Sequence, residues 1–345
     1  MKASVGIIGC GQWGQHYVRI LSELGTGPIP VYDQDPARLN TIQRRYPQVV
    51  VYTNPQDLLD QDMEAIIVAT PASTHFEIAR SALLAGKDVL VEKPLALDVE
   101  DGRTLTQIAK DAGRILMVGH VFLYNPAIRR LKEYVHAGAN GIGRLYFLYA
   151  TRTNLGPIRR DVNVVWDLAP HDISIFNDLL DAHPLWVNAV GGRVLGNDRE
   201  DVAFITLTYP DGILAHLHVG WADPNRVRQV VVVGSGKRIV FDDVNVLEKL
   251  KVFEKGVAVS GTDADNFGEF MLAIRDGDIF SPRLKPLEPL KELCSHFLAC
   301  VANRTRPRTD GDQGLAVVAV LTAIQQSMEV GGARVSVPTF ERIPA

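Results

Sequence analysis

Residues 5–14 of the chain read VGIIGCGQWG, and this stretch decides the fold of the first half of the protein. A mostly apolar run predicts a short buried strand, which leads directly into a glycine-rich turn. Apolar residues at helical spacing follow at once, from Trp13 to Leu24. A strand, a G-x-G-x-x-G turn and a helix in this order are typical of a dinucleotide-binding unit.

Each glycine of the turn has a separate physical role in such a unit. The first permits the tight turn, the second lets backbone amides approach a diphosphate, and the third allows the helix to pack closely on the strand. The helix N-terminus then faces the negative charge of the ligand. We therefore predict that the cofactor diphosphate is bound by the residues Gly9, Gly11, Gln12, Trp13 and Gly14.

The next predicted strand, residues 29–32, ends at Asp33, about 20 residues beyond the glycines. A carboxylate at this position hydrogen-bonds the ribose hydroxyls and repels a 2′-phosphate, so the predicted cofactor is NAD rather than NADP. A competing interpretation is that Asp33 or Asp35 only caps the helix that starts near Pro36.

A further strand at residues 65–69 leads into a loop that opens a helix running to about Ala85. The carboxyl ends of parallel strands meet at one edge of a sheet, where open α/β proteins bind ligands. We therefore predict that Thr70, Pro71 and His75 contact the cofactor. For His75 the alternative is that it simply lies at the start of the helix.

Residues 89–94, VLVEKP, are the second informative stretch. The apolar run reads as a strand buried on both faces, and it ends abruptly in two opposite charges. Because these charges fall at the ligand-binding edge of the predicted sheet, Glu92 and Lys93 are expected to contact the cofactor, and Lys93 also the substrate. Strand and helix continue to alternate up to residue 120, which predicts a parallel, doubly wound sheet.

After residue 122 the pattern changes to mostly antiparallel strands. Turn sequences at residues 210–212 and 234–237 separate two pairs of predicted strands. Residues 256–289 are rich in Gly, Asp and Pro and predict a long surface excursion. Two amphipathic helices then close the chain.

The predicted fold class is therefore α/β, with an N-terminal Rossmann domain at residues 1–122 and a C-terminal α/β domain at residues 123–345. The second domain is expected to contain a large, mostly antiparallel open sheet. Along residues 213–221 both faces of the strand carry apolar side chains. One face should cover helices, and the other is expected to pair with a second subunit in a homodimer or homotetramer.

The overall composition narrows the classes of partner. The chain has 345 residues and a net charge of -4, without a long Lys/Arg run, so neither nucleic acid nor a membrane is an expected partner. The chain runs from Met1 straight into a strand, so no signal peptide is expected. Cys10, Cys294 and Cys300 lack metal-type spacing and predict reduced packing residues in a cytoplasmic protein. His216 and His218 lack a third ligand, so no metal is predicted.

Residues 166–173, WDLAPHDI, place two carboxylates and an imidazole ahead of a helical pattern. If the helix begins here, Asp167 and His171 lie one turn apart on one face. The macrodipole disfavours the cationic form of a histidine in a first helical turn, which would keep His171 a neutral base. Taken alone, the segment is better explained by capping acids and a surface histidine. Beside Glu92 and Lys93 it predicts a catalytic group.

The glycine turn at residues 9–14, Glu92-Lys93-Pro94 and Asp167-x-x-x-His171, in this order, resemble the glucose-fructose oxidoreductase / inositol dehydrogenase / rhizopine-catabolism family. The resemblance implies an N-terminal Rossmann domain and a C-terminal domain whose open sheet mediates dimers or tetramers. It also implies a catalytic Lys93 with Asp167 and His171 as its partners.

Within this family, segments 119–126 and 152–163 look like the branch that acts on nucleotide-activated amino sugars, such as UDP-N-acetylglucosamine and UDP-N-acetylglucosaminuronate 3-dehydrogenases. The forked guanidinium groups of Arg152, Arg159 and Arg160 suit a carboxylate or diphosphate. For any single one of these arginines, a position in a solvated basic loop is an equally good explanation. His120 departs from the residue that many members carry. The expected substrate contacts, besides Lys93 and His171, are His120, Tyr124, Asn125, Arg152, Asn154, Arg159, Arg160 and Asn163.

Oxidation of a secondary alcohol requires a base for the hydroxyl proton and stabilisation of the developing alkoxide. We expect His171 to be the base and Lys93 to hydrogen-bond the reacting oxygen. Asp167 orients one of the two, and Glu92 steadies the cofactor ring or Lys93. Three functions fit: a UDP-amino-sugar 3-dehydrogenase, an oxidoreductase for a free sugar, inositol or 3-keto sugar, and a non-catalytic sugar or cofactor sensor.

Overall fold

The computed structural model of the chain describes residues 4–156, 158–196, 198–259 and 272–338. Its strands are β1 (Val5–Ile8), β2 (Ile29–Tyr32), β3 (Val49–Tyr52), β4 (Ala65–Val68), β5 (Asp88–Val91), β6 (Leu116–Val118), β7 (Leu145–Thr153), β8 (Trp186–Gly192), β9 (Val202–Thr208), β10 (Leu214–Gly220), β11 (Val227–Gly234), β12 (Arg238–Asp242), β13 (Leu250–Phe253), β14 (Gly256–Val259), β15 (Leu272–Arg275), β16 (Ile279–Phe280) and β17 (Val335–Ser336). Its helices are α1 (Gln12–Leu24), α2 (Pro36–Arg45), α3 (Pro55–Leu59), α4 (His75–Leu84), α5 (Val99–Asp111), α6 (Pro126–His136), α7 (Val164–Leu180), α8 (Pro289–Asn303) and α9 (Gly311–Glu329).

The first unit is built on a parallel sheet with the strand order β3-β2-β1-β4-β5-β6. Every residue of β1, β4 and β5 is buried, which explains their almost continuous apolar sequences. The predicted doubly wound sheet is confirmed. Sequence reasoning missed β3 and α3, because β3 is a half-exposed edge strand of four residues with no alternating pattern.

Contacts divide the chain into units that are not consecutive in sequence. Residues 4–124 and 287–322 form the first unit, and residues 125–286 and 323–338 belong to the second. The predicted boundary after residue 122 lies within two residues of the first division. However, residues 123–345 were predicted to form one domain, whereas α8 and the start of α9 belong to the first unit. Thr309, in this returning segment, donates its hydroxyl to the carbonyl of Val118 in β6 at 2.8 Å.

The second unit contains the sheet β16-β13-β12-β11-β7-β10-β9-β8-β17. Its pairs are antiparallel except for β7 with β10, which run parallel. The predicted hairpin at residues 210–212 joins β9 to β10 as expected. The predicted surface excursion at residues 256–289 is wrong in part, because this segment contributes β14, β15 and β16. Residues 260–271 of that prediction lie outside the described residues.

The two faces of this sheet differ in exposure. Helix α7 packs on β7, β9 and β10, and the side chains beneath it, such as Ala215 and Leu217, are fully buried. The opposite face leaves Phe147, Phe204 and Leu214 between 44% and 49% exposed. The prediction that one face of the sheet packs on a helix is therefore confirmed. The opposite face exposes several large apolar side chains in the part of the chain that the structure describes.

A buried ion pair fixes α7 on the sheet. Arg152 of β7 donates from Nε to Asp172 Oδ2 at 2.7 Å and from Nη2 to Oδ1 at 2.8 Å. Both side chains are at most 3% exposed. The fork of the guanidinium matches the carboxylate, which sets the rotation of the helix that carries Asp167 and His171. In the described part of the chain, no helix is both long and apolar enough to cross a bilayer.

This ion pair generates a stability prediction. Asp172→Ala leaves the Arg152 guanidinium buried without its carboxylate, so we expect the free energy of unfolding to fall by about 3–5 kcal/mol. Urea unfolding followed by circular dichroism measures the change. The control is Arg130→Ala, which breaks an exposed pair with Glu133 and should cost below about 1 kcal/mol. Equal losses in the two variants would contradict the structural role of the buried pair.

Candidate active site

The glycine turn is shaped by two close approaches. A Cβ on Gly14 would lie 1.9 Å from the carbonyl oxygen of Gly9, so α1 can close on β1 only without a side chain there. Gly9 has φ +97°, and a Cβ at this residue would lie 2.7 Å from the carbonyl of Ala69 and 2.8 Å from a side-chain carbon of Thr70. The loop after β4 therefore lies directly against the turn, and the cofactor contact of Thr70 stays a prediction.

The N-terminus of α1 is left available for an anion. Its N-cap residue, Gly11, makes no side-chain hydrogen bond to the first turn. By contrast, α2 is capped by Asp35, α5 by Asp98 and α6 by Asn125. Amides of a first helical turn that no side chain caps are suited to a diphosphate. The geometry of the turn thus fits a dinucleotide.

Asp33 lies at the carboxyl end of β2 and is 6% exposed. Its Oδ2 accepts from the amide of Cys10 at 2.6 Å, and its Oδ1 accepts from the amide of Asp35 at 2.8 Å. The capping alternative belongs to Asp35, whose carboxylate accepts from the amide of Ala37. Asp33 is thereby held against the glycine turn, where a ribose carboxylate of a Rossmann unit is expected.

A cavity of about 520 Å³ opens beside the turn. Gly11, Gln12 and His16 line it from α1, and Arg38 and Arg45 from α2. The Arg38 guanidinium lies 3.6 Å from Asp33 Oδ2 and is half exposed. Cations and amides around an open helix N-terminus provide the donors that an NAD diphosphate and ribose require.

His75 is buried and joins two loops of the first unit. Its Nδ1 lies 2.7 Å from the carbonyl oxygen of Pro94, and its Nε2 lies 3.0 Å from that of Thr70. Only 1% of the residue is exposed. The imidazole therefore ties the loop after β4 to the segment after Lys93, which is a structural role in place of the predicted cofactor contact. Its position at the start of α4 agrees with the alternative left open by the sequence.

Glu92 and Lys93 directly follow β5 and are 7% and 9% exposed. Glu92 Oε2 accepts from the backbone amide of Lys93 at 3.2 Å, and Glu92 Oε1 accepts from the hydroxyl of Tyr17 at 2.6 Å. Sequence reasoning missed Tyr17. The available signal was a tyrosine at a buried position of α1, where a hydroxyl needs a partner.

His120 follows β6 and is 1% exposed. Neither ring nitrogen has a hydrogen-bond partner among the described residues. Burial, and secondarily the charge of Lys93, lower the pKa of His120 to about 3, so the ring is neutral near pH 7. The imidazole thus places one donor and one acceptor near Lys93, which suits the predicted substrate contact.

In the second unit, α7 begins at Val164, with Asn163 as its N-cap. Asp167 lies in the first turn, but His171 is the eighth residue of the helix. The argument that the macrodipole keeps His171 neutral is therefore wrong, because the effect fades beyond the first turn. Asp167 Oδ1 accepts from Arg159 and its Oδ2 from the indole of Trp221, both at 3.3 Å.

Several predicted substrate contacts have structural partners. Arg152 uses two nitrogens on Asp172. Asn163 caps α7 through its Oδ1 and donates from its Nδ2 to Glu200 and Gln325, each at 2.9 Å. Both of its side-chain donor hydrogens are thereby engaged, so the structure gives Asn163 and Arg152 supporting roles in place of the predicted contact.

The remaining predicted residues differ in exposure. Tyr124 is buried, with its hydroxyl 3.4 Å from that of Thr309. Asn125 is the N-cap of α6 and accepts from the amide of Ala127 at 3.0 Å. Asn154 follows β7 and is half-buried, whereas Arg160 is exposed. The residues predicted to bind the cofactor, apart from His75, therefore follow strands of one parallel sheet or lie at its glycine turn, whereas the residues predicted to bind substrate belong to several elements.

A parallel Rossmann sheet with an uncapped glycine turn, an acid after its second strand and a lysine at its carboxyl edge defines a dinucleotide-dependent oxidoreductase. Residues 3–120 match the model of the oxidoreductase family with an NAD-binding Rossmann fold, and residues 128–240 match the model of the family's C-terminal domain. The chain belongs to the glucose-fructose oxidoreductase / inositol dehydrogenase / rhizopine-catabolism (Gfo/Idh/MocA) family and is an NAD-dependent oxidoreductase.

Individual relatives act on different substrates. The UDP-N-acetylglucosamine 3-dehydrogenase of Acidithiobacillus ferrooxidans is 27% identical over 334 residues, covering 94% of this chain and 96% of the relative. A solved structure of that enzyme has a TM-score of 0.80 and 25% identity, and covers 96% of this chain and 98% of its own. Inositol 2-dehydrogenase 2 of Saccharopolyspora erythraea is 29% identical over 228 residues, 64% of this chain and 67% of the relative.

The glycine turn yields a paired prediction. Gly14→Ala forces a Cβ against the Gly9 carbonyl, so we expect a loss of about 3 kcal/mol in the free energy of unfolding. Gly11 has φ −66°, and a Cβ there meets only Arg38 Nη1, at 3.8 Å. Gly11→Ala should therefore change stability by less than about 1 kcal/mol.

The same Gly11→Ala side chain would occupy the approach of a diphosphate to the α1 amides. We expect NADH affinity to fall at least about tenfold, a cost near 1.4 kcal/mol, in a titration of NADH fluorescence. Unchanged affinity in a folded Gly11→Ala protein would show that the diphosphate does not bind at this turn.

Proposed function

We propose that the chain oxidises the 3-hydroxyl of a nucleotide-activated amino sugar, UDP-N-acetylglucosamine or its uronate, with NAD. The observation that carries the proposal is the extent of the similarity. Resemblance to the UDP-N-acetylglucosamine 3-dehydrogenase runs over 94% of this chain, whereas resemblance to inositol 2-dehydrogenase 2 covers 64%. We propose that the second unit determines the substrate, so similarity that continues through it favours the substrate of the first relative.

The charges of the second unit support a ligand that carries a diphosphate or carboxylate. Arg160 is exposed and forms no ion pair among the described residues. Arg159 is held by Asp161 and Asp167. We infer that Arg160 supplies the cation for the anionic part of the substrate, because its guanidinium is not already neutralised.

In the proposed mechanism, the glycine turn and Asp33 would hold NAD, which would supply the hydride acceptor for oxidation of the carbon that carries the reacting hydroxyl. His171 takes the hydroxyl proton, and Lys93 hydrogen-bonds the oxygen and stabilises its developing negative charge. Asp167, held by Arg159 and Trp221, orients the base. The proposal requires Lys93 and His171 to act on the same hydroxyl group.

A second candidate is the oxidation of inositol or another free polyol. It is favoured by a relative such as the inositol 2-dehydrogenase of Acidothermus cellulolyticus, which is 31% identical over 55% of this chain. This candidate uses the same lysine and histidine but needs no anion-binding group. Competition by UDP separates the two candidates, because a free polyol does not share a uridine subsite.

The catalytic prediction is tested by NADH formation at 340 nm with UDP-N-acetylglucosamine, its uronate and myo-inositol. We expect a UDP sugar to be oxidised, and Lys93→Ala and His171→Ala each to lower kcat by about a hundred- to ten-thousand-fold. Lys87→Met is the control, because this buried lysine lies before β5, at its amino end, and donates to the carbonyls of Gln61 and Met63. Turnover of myo-inositol alone would sink the UDP-sugar proposal.

We further propose that the exposed apolar face of the β7–β10 sheet joins subunits into a homodimer or homotetramer. Phe147 lies beside Leu214 in register, and Phe204 lies beside both Val190 and His218. Apolar side chains on neighbouring strands of an exposed sheet face mark an interaction surface.

The three cysteines are buried and form no disulfide. We therefore propose a reducing, cytoplasmic location for the protein.

The assembly prediction follows from this surface. Phe204→Asp places a charge on the exposed face, so we expect the oligomer to dissociate toward the monomer mass. Multi-angle light scattering at micromolar concentration measures the mass. Leu247→Asp is the control, because Leu247 is 92% exposed in a turn of the same unit. A wild-type protein that is already monomeric would refute this interface.

A further inference from the structure

The carboxylate of Glu92 is held inside the first unit by a tyrosine from the glycine-turn helix. Tyr17 is fully buried, and its hydroxyl donates to Glu92 Oε1 at 2.6 Å. Hydrogen bonds to an ionised carboxylate are shorter and stronger than bonds between neutral groups. The second oxygen of Glu92 accepts from the backbone amide of Lys93. Both oxygens are therefore committed to donors on different elements.

The Glu92 carboxylate is also packed closely against Gly119. A Cβ on Gly119 would lie 3.3 Å from all three atoms of the Glu92 carboxyl group, so the group lies flat against the backbone after β6. Glu92 is thus confined between α1 on one side and the end of β6 on the other. Losing the Tyr17 hydroxyl would remove a short hydrogen bond from a buried carboxylate oxygen.

The charge of Glu92 acts strongly on its neighbours. Burial, followed by the charge of Glu92, raises the pKa of Tyr17 well above its usual value. Burial and then Glu92 also raise the pKa of the Cys294 thiol. Tyr17 therefore remains a protonated donor, and the negative charge is weakly screened in this region. The next residue, Lys93, binds the same carboxylate through its backbone amide.

We propose that Tyr17 is a positioning residue that fixes the Glu92 carboxylate beside Lys93. The hydroxyl lies on α1, the same helix whose first turn is open to the cofactor diphosphate. One rigid helix thereby aligns the diphosphate-binding amides and the carboxylate that accompanies the lysine. The consequence matters for the proposed function, in which Lys93 stabilises an alkoxide, but the positioning itself needs no substrate.

Tyr209 provides a matched control, because it is an equally buried tyrosine with a different kind of partner. Its hydroxyl donates at 2.7 Å to Oδ1 of Asn177, a neutral amide in the second unit. Tyr209→Phe loses a hydrogen bond of similar length and burial. It should therefore lower the melting temperature, by less than Tyr17→Phe does because its partner is neutral, and leave Lys93 unaffected.

The test follows the acetylation of Lys93 by acetic anhydride across pH 7–10 in the full-length chain, with and without NADH, using peptide mass spectrometry. Loss of the ordered carboxylate disfavours the ammonium form, so we expect labelling of Lys93 at pH 8 to rise about three- to tenfold in Tyr17→Phe. Tyr209→Phe should label like the wild type. Unchanged or slower labelling in Tyr17→Phe, or the same increase in Tyr209→Phe, would overturn the proposal.

Glu92→Gln separates the charge from the packing, because the amide keeps the size of the side chain and its bond to Tyr17. We expect labelling of Lys93 to increase in this variant, and Tyr17→Phe to add nothing further in its background. Additive effects would show that Tyr17 acts through another group. Glu92→Gln alone still decides the matter if Tyr17→Phe does not fold, since unchanged labelling would refute the role of the charge. No step uses the sugar, so an incorrect substrate assignment leaves the result readable.

Discussion

The contact between the Cα of Gly14 and the carbonyl of Gly9 is the constraint on which the first unit depends. Because no Cβ intervenes, α1 packs directly on β1, and its uncapped first turn faces the ligand edge of the sheet. The same rigid placement carries Tyr17 to within hydrogen-bond distance of Glu92. One missing side chain thus fixes both the helix terminus that suits a diphosphate and the orientation of the carboxylate next to Lys93.

The second unit solves a similar positioning problem with charge instead of close packing. Arg152 and Asp172 are too deeply buried to remain unpaired, so each holds the other, and α7 is locked to β7. Asp167 is then held by Arg159 and Trp221 from outside the helix. Arg152 and Arg159, which the sequence suggests as ligand-binding groups, therefore bind carboxylates of the helix that carries His171.

The sequence predicts what depends on local pattern and misses what depends on long-range pairing. The glycine turn, β5 with its terminal charges and the β9–β10 hairpin are legible because residue type and spacing determine them. The partner of Arg152 is 20 residues away, and nothing local distinguishes Asp172 from Asp167. Likewise, the amphipathic pattern of α8 predicts that one face of the helix packs on the protein core. The pattern does not indicate that this core belongs to the first unit. The start of α7 was misplaced because Asn163 caps it earlier than the acidic residues suggested.

The ionisation of the groups around Lys93 narrows the origin of any pH dependence. Burial raises the pKa of Tyr17 and lowers that of His120 to about 3, so both stay uncharged between about pH 4 and pH 9. A neutral imidazole next to an ammonium avoids like-charge repulsion and still offers one donor and one acceptor. Neither Tyr17 nor His120 therefore changes the charge of this cluster within that range. A pH dependence of activity within that range must therefore originate in other groups, and His171 of the second unit is the base that we propose.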